Sequence, residues 1–188
     1  MWDSLWQHGM PLVQWGVVLG ASLTAAVTDV SSRRIPNLLT GPMFAAGLVY
    51  AVAAAGLAGL GDSLVAAVLL AVPYVLLYAL AGGGAGDAKM MAAVGAWLGV
   101  INGLAALVGV SLAGVVMGLA MAAWRRGLRL AFSRVWYGSL RMVANVQGGG
   151  LPGMAEAASG KMRMPYGLAI CAGCWLAGAG VLIWRYQT

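Results

Sequence analysis

Acid is what this sequence has least of. Five carboxylates, Asp3, Asp29, Asp62, Asp87 and Glu156, are spread over 188 residues, so any acid–base chemistry must draw on that short set. Charge of either sign is scarce: 9% of the residues are charged and 62% are hydrophobic, whereas soluble domains carry roughly 25% charged residues. That leaves too little polar surface to cover a globule in water, and the alternative solvent is lipid. Histidine occurs once, at His8, which excludes a Ser/His/Asp nucleophile set placed on the same side as the candidate residues below. Cysteine occurs twice, at Cys171 and Cys174. A closed zinc site needs two further ligands beyond this lone CxxC, so the pair reads as small side chains packing on one face of a helix. The glycine-rich stretch 82–86 lacks the Lys-Ser/Thr ending of a P-loop, and no dinucleotide fingerprint occurs. Neither a metal nor a cofactor is expected.

Long apolar runs are what the sequence has in abundance. A spanning helix needs about 20 apolar residues. The first run is 10–28, ending at Asp29; a polar segment, 29–37, follows. The second span is 38–60, with Pro36 just ahead of the helix start, a position that suits proline. A Gly61-Asp62 turn leads to a third span, 63–81. Residues 88–124 are largely apolar, with Lys89 the one charged residue. They are too many for one span and suffice for two, with the turn expected near residues 100–103. Residues 125–163 interleave arginines with Trp124, Leu128, Phe132, Val135, Trp136 and Leu140, as an amphipathic helix on the membrane surface would. Gly148, Gly149, Gly150 and Pro152 form a loop, and the last span runs 165–184. The expected fold class is all-α: a polytopic membrane protein with about six transmembrane helices, forming one domain over 1–188. The N-terminus has no basic region ahead of its first apolar run, so that run reads as a retained anchor and not a cleaved signal peptide.

The net charge of +6 comes from basic residues that lie between apolar spans, as expected of cytoplasmic loops. The partner it implies is the lipid bilayer, not nucleic acid. Placing Arg33 and Arg34 on the same side as 125–163 requires an even number of spans between them, and spans two to five are four. Both loops then face the cytoplasm. Asp29 and Asp87 fall on that side, while Asp3 and Asp62 fall on the other.

Ionisable residues at membrane edges are costly and point to function. A lone aspartate at a loop boundary is ordinarily a helix-end marker. Here two share one side, and the second ends Gly84-Ala85-Gly86-Asp87, where glycines let backbone or an extended substrate approach. The same residues also fit a tight turn with Asp87 as the N-cap of the following helix. Two nearby carboxylates share one proton; the ionised one activates water and the protonated one polarises a carbonyl. Helix-end dipoles favour Asp87 as the anion and base and Asp29 as the acid. Lys89 either orients the carboxylate, meets an acid of the substrate or, as its stem length favours, snorkels to the interface.

Three blocks carry a family resemblance: Asp29 followed by Ile35, Pro36 and Asn37; the Gly84-Ala85-Gly86-Asp87-Ala88-Lys89 run with Gly95, Trp97 and Gly99 behind it; and Pro165, Tyr166 and Gly167 leading to Ala169 and Ile170. On these residues the sequence resembles the type IV prepilin peptidases, membrane aspartyl enzymes of the GxGD class. The resemblance implies removal of a short basic leader from prepilins or pseudopilins at the cytoplasmic face of the bacterial inner membrane. Asp29 and Asp87 would be the catalytic pair, with Gly84, Gly86, Lys89, Pro36, Asn37, Pro165 and Tyr166 binding substrate or supporting the site. No cysteine-bearing cytoplasmic loop follows the first span, so the chain looks like the short peptidase-only members serving Flp/Tad-type pili, without a methyltransferase domain. Two rivals compete with this reading. One is an intramembrane peptidase acting on other membrane proteins. The other is a non-enzymatic pilus-assembly or transport protein using the glycine break as a pivot or conduit. The second predicts internal repeats, and none is visible.

Overall fold

The computed structural model describes residues 11–32, 34–81, 84–124 and 166–187. All of them outside two short connections are helical. Helix α1 is Pro11–Ser32, α2 is Asn37–Ala81, α3 is Ala85–Trp124 and α4 is Tyr166–Gln187. Among the described residues, these four helices are long and apolar enough to cross a membrane.

Six spans were expected, and the difference lies inside α2 and α3. A straight helix of 45 residues would be about 67 Å long, more than twice the roughly 30 Å of bilayer hydrocarbon. Helix α2 is not straight. Gly56 has φ 61° and ψ −144°, a conformation open to glycine and costly for any L side chain. A Cβ added at Gly59 would overlap the carbonyl oxygen of Ala51 and lie 2.8 Å from the Ala55 Cβ. Residues eight apart in a continuous helix are separated by about 12 Å, so the chain doubles back at Gly56. The same happens in α3. Gly99 has φ 69° and ψ −175°, and a Cβ on Gly103 would sit 4.0 Å from the Gly95 Cα.

Both reversals fall earlier than the sequence led one to expect. The turn assigned to Gly61-Asp62 lies at Gly56, and the one assigned to residues 100–103 lies at Gly99. Asp62 is employed elsewhere than in a turn. It stays helical, and its Oδ2 accepts the N–H of Val100 at 3.3 Å, one of the donors left free where helix restarts after Gly99. Asp62 therefore lies at the Gly99 break, away from Asp29 and Asp87, and its role there is to cap.

Packing follows the rules of lipid, not of water. Lipid tails are as apolar as leucine, so helices associate through close contact at small residues. A Cβ on Gly95 would meet the Ala66 carbonyl oxygen at 2.6 Å, and one on Gly173 would overlap the backbone of Val110. Trp97 lies against Gly47, whose added Cβ would be 2.9 Å from the indole, and its Nε1 donates to the Met43 carbonyl at 2.8 Å. Ser63 donates to the Ala96 carbonyl at 2.9 Å. The Gly95, Trp97, Gly99 spacing is thus a packing device: close approach, indole anchor, reversal. Trp15, Leu70, Met90, Met91, Val94, Val110 and Ile170 fill the interior, while Leu38, Leu57, Val68 and Leu176 point outward. Cys174 is fully buried, Cys171 half-buried, and both are free, in keeping with a packing role.

The chain divides into two compact units, 1–114 with 165–188, and 115–164. Of the second, the described part is the last stretch of α3, where Val115, Val116 and Leu119 are exposed. The amphipathic segment expected over 125–163, the loop at 148–152 and Pro165 lie outside the described residues, as do Asp3 and His8.

Candidate active site

Asp29 was expected to end the first helix. Helix α1 instead continues one turn further, to Ser32. In this last part the hydroxyls are spent on the helix's own carbonyls: Thr28 Oγ1 donates to Thr24 O at 2.9 Å, Ser31 Oγ to Thr28 O at 3.2 Å and Ser32 Oγ to Thr28 O at 2.7 Å. Asp29 therefore lies within the helix and is 8% exposed. Its Oδ2 accepts the backbone N–H of Gly167 at 2.8 Å. Gly167 is the second residue of α4, so this donor is one of the N–H groups that a helix start leaves unpaired. The approach is tight: a Cβ on Gly167 would lie 2.8 Å from the Asp29 Cβ.

Asp87 was expected to cap a helix beginning after it. The helix begins two residues earlier, at Ala85, which makes Gly84 the cap and Asp87 a first-turn residue. The two are joined reciprocally. The Asp87 N–H donates to Gly84 O at 3.2 Å, and the Gly84 backbone N–H is hydrogen-bonded to the Asp87 carboxyl. This is the logic of a capping box, and it needs glycine, since a Cβ at Gly84 would stand 2.8 Å from the Asp87 Oδ2.

The two carboxyl groups are brought within electrostatic range, Asp29 acting on Asp87. The end of α1 and the starts of α3 and α4 therefore converge at one place. The helix-end argument that made Asp29 the acid loses its basis here. Asp29 sits near the end of its own helix, but its oxygen accepts an N–H from the start of another, which favours an anion. Each carboxylate has one backbone donor.

The supporting residues sort clearly. Gly86 lies against Ile35, 3.2 Å from an added Cβ, letting the connection between α1 and α2 pass close to the GxGD turn. Pro36 precedes α2, and its carbonyl accepts from Leu39 N at 3.0 Å and Thr40 N at 3.4 Å. Lys89 does not merely snorkel: its Nζ donates to Asn37 Oδ1 at 2.9 Å, fastening the start of α3 to the start of α2. An exposed hydrogen bond from a charged group is worth about 1 kcal/mol. Lys89→Met and Asn37→Ala are each expected to cost about that much, and the double variant little more than either. Thermal unfolding in detergent measures all three; additive losses would show that the two side chains act separately.

Tyr166 and Gly167 come from the same short block, and it is Gly167 that is hydrogen-bonded to Asp29. The Tyr166 ring meets Tyr74 edge-on, with centroids 6.3 Å apart and planes at 82°. Both tyrosines interact electrostatically with Asp87. Sequence reasoning missed Tyr74 and the role of Gly167. Nothing local marks Tyr74, which sits inside a long apolar run; Gly167 was signalled by its place in the first turn of a helix, where an unspent N–H is guaranteed.

A polytopic helical membrane protein whose scattered aspartates meet at converging helix ends is the class that fold and site define. Comparison with known proteins says which one: a model of the type IV leader peptidase family matches residues 16–119, more than half of the chain, and the chain belongs to that family. A prepilin leader peptidase/N-methyltransferase of Neisseria gonorrhoeae is 32% identical over 126 residues, covering 62% of this chain and 43% of the relative. The chain thus matches less than half the length of that protein. No solved structure matches.

Proposed function

We propose that this chain is a membrane aspartyl endopeptidase that removes the short leader from prepilin-like proteins, with Asp29 and Asp87 as its catalytic pair. The observation that carries the reading is their convergence: two of five carboxylates in the chain, on different helices, lie within electrostatic range of one another. Membership of a leader peptidase family and the name of the gonococcal relative support the substrate class.

The mechanism needs one proton shared between the two acids, because both cannot easily be charged at close range. The ionised carboxylate takes a proton from water, whose oxygen bonds to the scissile carbonyl carbon. The protonated carboxyl gives its proton to the carbonyl oxygen. The tetrahedral diol then collapses: one hydroxyl returns its proton to the ionised carboxylate, the C–N bond breaks and the departing amine takes the proton that the other carboxyl gained from water. The pair titrates jointly, so the roles belong to the dyad and not to one residue.

Counting the reversals at Gly56 and Gly99, we read the chain as six membrane spans in the bacterial inner membrane, with Asp29 and Asp87 at the cytoplasmic edge. The excess of basic residues in the loops on that side supports this orientation. The test is leader removal from a candidate prepilin in membranes containing this chain, followed by N-terminal sequencing of the product. Normal processing by folded chains carrying Asp29→Asn and, separately, Asp87→Asn ends the proposal.

A further inference from the structure

Beside the aspartates the fold builds a second chemical feature, a pair of phenols. Tyr74 is 5% exposed, a high burial for a side chain with a polar end. Its ring is locked edge-on against Tyr166, and Tyr166 immediately precedes Gly167, whose N–H holds Asp29 at 2.8 Å. Tyr166 is seated in turn by Gly114, where an added Cβ would stand 3.0 Å from its hydroxyl. Pro73 lies inside α2 next to Tyr74, and proline has no N–H to give to the preceding turn. Buried tyrosine hydroxyls ordinarily find a partner. Among the described residues neither Tyr74 nor Tyr166 donates a hydrogen bond, yet neither hydroxyl is sealed away as a buried orphan. Two phenol donors thus stand unspent within electrostatic range of Asp87.

We propose that Tyr74 is a further catalytic residue, its hydroxyl donating a hydrogen bond to the oxygen of the scissile carbonyl while Tyr166 fixes the ring that carries it. The inference rests on the peptidase reading. As water bonds to the carbonyl carbon, the π electrons move to oxygen and the developing negative charge needs a preorganised donor. A phenol held by ring packing supplies one without giving up its proton. The shared proton of the aspartates still completes the diol, so no atom or electron is left over.

Tyr74→Phe keeps the ring and its contact with Tyr166 and removes only the donor. In purified full-length chain reconstituted in lipid, kcat for a prepilin substrate is expected to fall at least ~10-fold, with KM and thermal unfolding unchanged. A smaller fall, or a loss expressed in KM, overturns the inference. Should the phenylalanine variant fail to fold, 3,5-difluorotyrosine at position 74 preserves shape and makes the phenol more acidic. The phenol is then a stronger donor, so kcat must change while KM stays, and an unchanged kcat overturns the inference. The titratable neighbours of Tyr74 are Tyr166, Cys174 and Asp87, so the change in kcat must persist with Cys174→Ala. Asp29→Asn and Asp87→Asn run alongside separate the two claims. If both cleave normally the peptidase reading fails; if they are inactive and Tyr74→Phe is fully active, only the role of Tyr74 fails.

Discussion

Asp29→Asn and Asp87→Asn each reduce leader cleavage by roughly 10³-fold or more, and the double variant is no worse than either alone. The non-additivity is the informative part. Two independent supports of a reaction lose activity in proportion when both are removed. Two groups that share one proton form a single device, and the first substitution already destroys it. Asn keeps the volume of each side chain, so packing at the buried Asp29 is preserved. It also keeps an acceptor for the Gly167 N–H, the bond that holds position 29 at 2.8 Å. The unfolding temperature of each variant in detergent should therefore stay near that of the parent, making loss of chemistry separable from loss of fold. Rates come from single-turnover cleavage of a purified prepilin in lipid. A double variant slower than both singles by the product of their effects would show that the carboxylates act independently, and the shared-proton mechanism would be wrong.

What the sequence disclosed follows the range of the forces involved. Apolar length is set by the bilayer, which acts on every residue alike, so the helical class could be read directly. Chain reversals were harder. The stretch 56–62 offers Gly56, Gly59 and Gly61, and local preference does not choose among them. The contact that goes with the choice is long-range: the Asp62 carboxylate, on a segment that stays helical, caps the restart after Gly99. The site was legible where a residue's neighbours in sequence are its neighbours in space: Gly84 with Asp87, or Pro36 with the start of α2. It was illegible where a partner comes from another helix. Lys89 finds Asn37, Asp29 finds Gly167 and Tyr166 finds Tyr74, contacts that only the packed bundle specifies. The start of α4 matters most among these, because it reverses the polarity that Asp29 would feel from its own helix alone.

That contact yields the second large effect, expected for the smallest possible change. Gly167→Ala adds one methyl group and keeps the N–H that Asp29 accepts. The methyl carbon would stand 2.8 Å from the Asp29 Cβ, 3.1 Å from its Oδ2 and 3.1 Å from the Ala25 carbonyl oxygen. Carbon atoms do not approach that closely, and two of the three obstacles cannot rotate away, so α1 and α4 must part or the Asp29 carboxyl must swing aside. Overpacking of this kind costs about 1–3 kcal/mol of stability. The catalytic cost is larger, because misplacing a reacting group by about 1 Å lowers rate by roughly 10²-fold. Gly180→Ala is the matched control: it lies on the same helix, and an added Cβ there meets nothing within 4 Å. Single-turnover cleavage and thermal unfolding of both variants decide the matter. Gly167→Ala cleaving at the parental rate would mean that the start of α4 does not hold Asp29 in its working position. A deficit in Gly167→Ala that Gly180→Ala does not share, and that exceeds the fraction of unfolded protein, places the effect on the carboxylate itself.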